Sequence, residues 1–191
     1  MNDVKEMEKY AKEKYIPIAR KQTIEFIINT IEKNNFLSFL EIGTAIGYTS
    51  TILATKFPNI NILTIEHDIE RAKIAKETFA SFNVEKNITL ITGEATTFDT
   101  NDLFDLIFID AAKKKNRFFL ERFAKNLSVN GIIIVDNMNL DDLWTNAKEE
   151  KKIQYHKLND EFKNYVLTSP LYDATLYEDI GDGIMVIKLK K

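Results

Sequence analysis

The sequence predicts an α/β fold with a seven-stranded, mostly parallel sheet, helices on both faces and an antiparallel C-terminal strand. Three observations favour this fold: short apolar segments recur along the chain, helix-length segments separate them, and a connector rich in turn-forming residues joins the last two. Strands that alternate with helices need crossover connections, and such connections place the strands parallel in one sheet.

The predicted elements follow one another in a regular order. Residues 17–34 carry apolar side chains at helical spacing, and Pro17 suits the first turn of a helix. Buried strands are expected at five short apolar runs, which are residues 36–42, 60–65, 88–91, 103–109 and 132–135. Helices are expected between them at residues 47–57, 68–82 and 114–126.

The C-terminal part of the chain differs in composition. A polar stretch at residues 139–152 leads into a helix expected at about 148–168, which Pro170 stops. Strands are then expected at residues 171–177 and 183–189. The connector between them is rich in Gly and Asp, which favours a tight turn and therefore an antiparallel pair at the edge of the sheet.

Composition excludes several classes of protein. The 191 residues include no Cys, so disulfides, thiolate metal sites and cysteine nucleophiles are impossible. The 26 basic and 29 acidic residues give a net charge of -3, so any surface that binds nucleic acid must be local. No apolar run is long enough to span a membrane and no secretory signal is visible. We therefore expect a soluble, cytoplasmic protein that does not bind membranes.

Polar and small residues follow the first three predicted strands. In an open parallel sheet, ligands bind beyond the carboxyl ends of the strands. Gly43 and Gly47 follow the first strand in a G-x-x-x-G spacing, and Glu66 ends the second strand, where an acid can bind both hydroxyls of a ribose. Two simpler interpretations stay open: the glycines form an ordinary turn, and Glu66 with His67 and Asp68 caps the next helix.

This E-x-G-x-x-x-G segment, Glu41 to Gly47, resembles the class I S-adenosylmethionine (SAM)-dependent methyltransferases, which have a Rossmann-like fold. The resemblance implies a cofactor and metal core at residues 36–137, preceded by N-terminal helices at 1–35. A substrate-side loop and helix at 138–168 and the strand pair at 169–191 complete one domain. It also implies cofactor contacts at Ile16, Glu41, Gly43, Thr49, Glu66, Glu94, Ala95 and Asp110.

Oxygen-bearing side chains follow the fourth and fifth predicted strands. Asp110 ends one strand, and Asp136 and Asn137 end the next. Such hard ligands suit Mg²⁺ or Mn²⁺, although strand-end acids also cap helices. The segments F-I-D-A-A-K and D-N resemble the metal-dependent, catechol-type O-methyltransferases. That resemblance implies a metal held by Asp110, Asp136 and Asn137, with Lys113 and Asp110 as catalytic residues.

Within that family, the chain resembles the bacterial tRNA 5-hydroxyuridine methyltransferases. The similar segments are residues 10–18 (YAKEKYIPI), 40–48 (LEIGTAIGY), 107–113 (IFIDAAK) and 181–184 (GDGI). The resemblance implies methylation of 5-hydroxyuridine at the wobble position to 5-methoxyuridine, a tRNA anticodon loop as partner, and a homodimer. Candidate contacts to RNA are Arg20, Lys21, Lys114, Arg117 and Trp144.

Three alternatives remain open at this point. The first keeps the chemistry and replaces tRNA by a small catechol-like phenol, which the acidic composition favours. The second is a nicotinamide-dependent oxidoreductase, because Glu66 could equally bind the ribose of NAD; the missing G-x-G-x-x-G spacing disfavours it. The third is a non-catalytic RNA-binding protein that has kept the methyltransferase fold.

Overall fold

Seven strands form one mixed sheet in the computed structural model, which describes residues 1, 3–139 and 149–190. They are β1 Ser38–Ile42, β2 Asn61–Glu66, β3 Ile88–Thr92, β4 Phe104–Ile109, β5 Leu127–Asp136, β6 Tyr172–Tyr177 and β7 Ile184–Leu189. Their spatial order is β3-β2-β1-β4-β5-β7-β6. The first five strands are parallel, and β7 runs antiparallel to both β5 and β6. The fold is therefore a Rossmann-like α/β sheet, as the sequence predicts.

Six α-helices cover the two faces of the sheet. They are α1 Val4–Glu13, α2 Lys21–Asn34, α3 Tyr48–Lys56, α4 Ile69–Ser81, α5 Asn116–Phe123 and α6 Glu149–Thr168. Side chains alternate along a strand, so Phe39 packs in one core with Ile27 of α2, whereas Leu40 packs in the other with Phe119 of α5. Helices α1 to α4 lie on the first face, and α5 and α6 lie on the second. In the described part of the chain, no helix is long and apolar enough to cross a membrane.

Two predicted helices differ from the structure. The helix predicted to start at Pro17 is α2, which starts at Lys21. The preceding residue, Arg20, is extended, with ψ at 151°, and the amide of Ile16 donates to the carbonyl of Ala11 to close α1. The helix predicted at residues 114–126 is shortened to α5 by a 3-10 turn on each side.

The fifth strand is longer than predicted. It begins at Leu127, not at residue 132, and its pairing with β4 shifts register between Phe104 and Leu106. The early part of β5 contains the polar residues Ser128 and Asn130, and Val129 between them is 85% exposed, so it lacks the apolar run that marks a buried strand. The remaining strands lie within two residues of their predicted bounds at each end.

Asp105 joins three strands at the end of the sheet opposite to the predicted ligand-binding end. Its carboxylate accepts hydrogen bonds from the amides of Leu37 and Ser38 at 2.9 and 3.1 Å and from the Ser128 hydroxyl at 2.9 Å. Partial burial opposes ionisation, but these hydrogen bonds outweigh it and lower the pKa of Asp105. The amino ends of β1, β4 and β5 are therefore held together by one ionised side chain.

Candidate functional site

The loop after β1 has an unusual backbone. Gly43, Ala45 and Gly47 all have positive φ, at 106°, 48° and 85°. A Cβ atom on Gly43 would lie 2.1 Å from the carbonyl oxygen of Asp110, and one on Gly47 would lie 2.5 Å from the ring of Phe79. Both glycines are therefore required by the packing of the loop itself. The loop brings the end of β1 directly against the end of β4.

Glu41 lies in the interior at the end of β1. Its residue is 1% exposed, and Oε2 accepts hydrogen bonds from the hydroxyls of Ser50 and Thr64 at 2.5 and 2.6 Å. Burial raises the pKa of Glu41 to about 7, although these hydrogen bonds oppose that effect. Thr49, in the first turn of α3 next to Ser50, is also buried. Glu41 thus links β1, β2 and α3 beneath the loop.

Glu66 links the loop to the end of β2. Its carboxylate accepts hydrogen bonds from the amide of Ala45 at 2.8 Å and from the amide of Asp68 at 2.9 Å, and His67 Nδ1 lies 3.1 Å away. Asp68, not Glu66, caps α4, because the Asp68 side chain accepts from the amide of Arg71. The interpretation of residues 66–68 as a helix cap is therefore confirmed for Asp68, whereas Glu66 binds the amides of Ala45 and Asp68.

A small cleft opens at the carboxyl ends of the first four strands. Its volume is about 40 Å³, and its lining residues are Ile42, Gly43, Ile65, His67, Gly93, Glu94, Ala95 and Ala111. Three of the predicted cofactor residues, Gly43, Glu94 and Ala95, meet here. Glu94 also pairs with Lys115 at 3.5 Å. Ile16 packs against the core on the α1 to α4 face, and its contact with a cofactor stays a prediction.

A second group of polar side chains lies next to this cleft. Because β4 pairs with β5, Asp110 and Asp136 follow neighbouring strand ends, as the sequence predicts. Lys113 places its Nζ atom 3.4 Å from Asp110 Oδ1 and 3.4 Å from the carbonyl oxygen of Asp136. Burial and the nearby charge of Asp110 raise the pKa of Asp136 to about 7. Two acids and one lysine thus meet between β4 and β5.

Asn137 joins this group with a left-handed backbone, at φ 60°. Its Nδ2 lies 3.5 Å from Asp182 Oδ2, and Asp182 in turn pairs with Arg20 Nε at 2.8 Å. The turn between β6 and β7 also binds the backbone here, since the amide of Met138 donates to the carbonyl of Gly183 at 2.8 Å. The predicted site residues do not include Asp182, although it falls within the G-D-G-I segment of the resemblance.

The donor atoms at this site fit a hard divalent cation. Asp136 Oδ2 is buried and has no hydrogen-bond partner, which is costly for a carboxylate oxygen unless a cation or water satisfies it. Within residues 1, 3–139 and 149–190, no three His, Cys, Asp or Glu side chains form a group that could hold a metal. A cation here therefore needs the amide oxygen of Asn137 beside Asp110 and Asp136, with water or substrate filling other positions.

The candidate RNA-binding residues are placed differently. Arg20 and Lys21 lie at the start of α2 and have acidic partners, Asp182 at 2.8 Å and Glu8 at 3.0 Å. Lys114 is exposed. Arg117 pairs with an acid at 2.9 Å and stacks on an aromatic ring at 4.0 Å, with Glu121 and Tyr165 as its partners. Trp144 lies outside the described residues.

Helix α6 adds residues that the sequence-based prediction does not include. A polar cavity of about 210 Å³ separates it from the end of β5 and is lined by Met138, Asn139, His156, Asn159, Asp160, Lys163 and Glu178. Asn159 is 3% exposed, and its Nδ2 donates to the carbonyls of Asn137 and Met138 at 3.1 and 3.0 Å. An asparagine in a charged helix gives no signal of such a contact, because the partner lies elsewhere in the chain.

A family model that matches almost the whole chain identifies its family. The family model for O-methyltransferases matches residues 2–190, so the chain belongs to the O-methyltransferase family. The catechol O-methyltransferase of Mycobacterium tuberculosis is 30% identical over 103 residues, which cover 52% of this chain and 47% of that enzyme. The first two curated relatives are thus matched over only about half of their own length, 44 and 47%.

Solved structures share the fold over nearly the whole chain. A Staphylococcus aureus protein provisionally named a caffeoyl-CoA O-methyltransferase has a TM-score of 0.88 at 27% identity, covering 100% of this chain and 93% of that one. The O-methyltransferase TomG of Streptomyces achromogenes, solved in complex with SAM, has a TM-score of 0.80 at 19% identity, covering 98 and 89%. The second likeness concerns the fold alone.

Proposed function

We propose that this chain is a SAM-dependent, metal-assisted O-methyltransferase that methylates the 5-hydroxyl group of 5-hydroxyuridine at the tRNA wobble position. The observation that carries the proposal is the meeting of Asp110, Lys113 and Asp136 at two neighbouring strand ends, beside the cleft after β1 to β4. Asp110 and Asp136 could bind a cation, Lys113 could accept a proton, and the separate cleft could bind a nucleoside.

The cleft would hold the adenosine part of SAM, which supplies the methyl group. Glu66 lies at the end of β2, where a carboxylate can accept hydrogen bonds from ribose hydroxyls. Its two oxygens already accept amides of the chain, so the carboxylate is held in place before any ligand arrives. Gly43, Glu94 and Ala95 line the cleft itself. Glu94 and Ala95 would border the base, and Gly43 would face the methionine part of SAM.

Asp110, Asp136 and Asn137 would hold Mg²⁺ or Mn²⁺, which when bound would orient two adjacent substrate oxygens and favour the ionised hydroxyl. Lys113 would accept the proton of that hydroxyl at Nζ, because this atom lies 3.4 Å from Asp110 Oδ1 and 3.4 Å from the carbonyl oxygen of Asp136, beside the residues that would hold the cation. The oxygen would then form its bond to the methyl carbon as the carbon–sulfur bond of SAM breaks, leaving S-adenosylhomocysteine.

The substrate proposal rests on the substrate's own chemistry. In 5-hydroxyuridine, the 5-hydroxyl and the 4-carbonyl oxygen are neighbours, so the base offers two adjacent oxygens, as a catechol does. Recognition of the tRNA anticodon loop would use the basic and aromatic candidates Arg20, Lys21, Lys114, Arg117 and Trp144. We also propose that the protein forms a homodimer.

A small catechol-like phenol is the second candidate substrate. Two observations favour it: the net charge is -3, and three of the four basic candidates in the described residues have acidic partners, which are Arg20, Lys21 and Arg117. Acidic partners weaken the attraction of a basic side chain for phosphate. A phenol of this kind would use the same acids and the same lysine.

The first test is transfer of labelled methyl from SAM to tRNA that carries unmethylated 5-hydroxyuridine, with Mg²⁺ and then with excess chelator. We expect labelling of the wobble base that the chelator abolishes. Metal-dependent labelling of a catechol without any labelling of tRNA would retain the chemistry and replace the substrate. Labelling of neither substrate would contradict the proposed function.

A further inference from the structure

We propose that Asn159 of α6 is a positioning residue that fixes the backbone of Asn137, so that the Asn137 amide oxygen is presented beside Asp110 and Asp136. The inference rests on the proposed function, because it concerns the residues that would hold the metal. It assigns to α6 a part in the metal site, although no residue of this helix is a candidate ligand.

Two hydrogen bonds carry the inference. Asn159 Nδ2 lies 3.1 Å from the carbonyl oxygen of Asn137 and 3.0 Å from that of Met138. One amide nitrogen therefore spans two consecutive peptide groups. Asn159 is 3% exposed, so these bonds form away from competing water. The contact joins residues 22 positions apart in the sequence, and it ties α6 to the segment that directly follows β5.

The backbone of Asn137 is the part that Asn159 contacts. Its φ of 60° lies in the left-handed region, which Asn adopts more readily than other residues with a side chain. The direction of the Asn137 side chain depends on this backbone. Asp182 contacts the Asn137 side chain at Nδ2, which leaves the amide oxygen as the atom that can face a cation. Asn159 holds the backbone and Asp182 the side chain.

The oxygen atom of the Asn159 side chain supports a positioning role for its nitrogen atom. Asn159 Oδ1 is buried and has no hydrogen-bond partner. A buried unpaired oxygen destabilises a fold, whereas an apolar side chain of similar size at this position would avoid that cost. This loss of stability is explained if the hydrogen bonds of Nδ2 position the site residues rather than stabilise the fold.

The test compares Asn159→Leu with Asn164→Leu, a matched change at an exposed position of the same helix. The readouts are the affinity for Mn²⁺, titrated by electron paramagnetic resonance with SAM bound, the affinity for SAM and the unfolding temperature. We expect Asn159→Leu to weaken Mn²⁺ binding by roughly 10- to 100-fold, the range usual for residues that orient metal ligands. SAM affinity should match that of Asn164→Leu. The unfolding temperature should be lower, because two buried or half-buried carbonyl groups lose their donor, so Mn²⁺ binding is measured well below it.

A second variant covers a failure of the first to fold. Asn159→Asp keeps the shape but replaces the donor by an acceptor that faces two carbonyls, so Mn²⁺ affinity should again fall. Wild-type Mn²⁺ affinity in either folded Asn159 variant would overturn the positioning role and leave the proposed function intact. A wild-type chain that binds SAM but no Mn²⁺ would overturn both proposals.

Discussion

Glu41 makes the free energy of unfolding depend on pH. Burial raises its pKa from the ordinary 4.5 to about 7, so the folded state binds this proton more tightly than the unfolded chain does. The free energy of unfolding therefore falls as the pH rises from 4.5 to 7. We expect Glu41→Gln to remove this part of the slope, by at most roughly 3 kcal/mol between pH 4.5 and 7.5.

Urea unfolding at several pH values measures the effect. The control is Glu85→Gln, at an exposed carboxyl group in the turn before β3, which should keep the wild-type slope. Asp136 contributes in the same direction because its pKa is also raised to about 7, so part of the slope should remain in Glu41→Gln. A slope identical to that of the control would show that Glu41 is already ionised in the folded protein near pH 5.

Asp136→Asn tests the acid at the end of β5. The amide keeps the shape of the carboxylate but removes its charge, so we expect methyl transfer to fall by at least roughly 100-fold while SAM affinity stays unchanged. Initial rates with saturating SAM measure the effect. The matched control is Asp173→Asn, an exposed position of the edge strand β6. Equal rates for the two variants would remove Asp136 from the mechanism.

Some residues of the candidate site could be predicted from the sequence, and others could not. Asp110 and Asp136 could be found because each directly follows an apolar strand, and adjacent parallel strands bring their ends together. Asp182 and Asn159 could not, because their contacts join Asn137 to a turn and a helix that follow much later in the chain. The roles of all these residues in catalysis stay predictions.

At the scale of elements, Asp105 holds the amino ends of three strands. We expect Asp105→Ala to lower the free energy of unfolding by roughly 2–4 kcal/mol, since two half-buried donors and one exposed donor lose one ionised partner. The pKa of Asp105 is lowered, so its stabilising effect is present above the unfolded-state value and is lost as the pH falls through the folded-state value.

Chemical unfolding at pH 7 and at pH 3 checks this prediction. The difference between Asp105→Ala and wild type should be smaller at pH 3. Asp173→Ala, on the exposed side of an edge strand, serves as the control. The candidate site lies at the opposite end of the sheet, so residual activity per folded molecule should not change. A pH-independent difference would show that packing, not the charge of Asp105, stabilises these ends.

Among the elements, strands were more predictable than helices. A buried parallel strand is a continuous apolar run bounded by turn residues, and these runs lie within two residues of the observed strands except at β5. Helix α1 has only Met7 and Ala11 fully buried among many charged residues, so its apolar face is too narrow to give a strong signal. The 3-10 turns around α5 depend on local hydrogen bonds that composition does not reveal.

At the scale of the whole molecule, a ligand that binds only the folded state must raise the unfolding temperature. At 100 times its dissociation constant, SAM should stabilise the protein by about 2.7 kcal/mol. For a chain of this size, that corresponds to a shift of roughly 5–10 °C. Differential scanning fluorimetry measures it, with NAD as the control ligand. A shift with NAD and none with SAM would instead support an oxidoreductase.

The position of β7 in the sheet affects how the chain folds. During synthesis, β6 emerges before β7, yet β6 pairs with no strand other than β7 among the described residues. Until β7 docks on β5, the outer edge of β5 presents unpaired backbone groups, and an open edge of this kind invites pairing with other chains. Any delay between the formation of β5 and the docking of β7 would therefore expose newly made molecules to self-association.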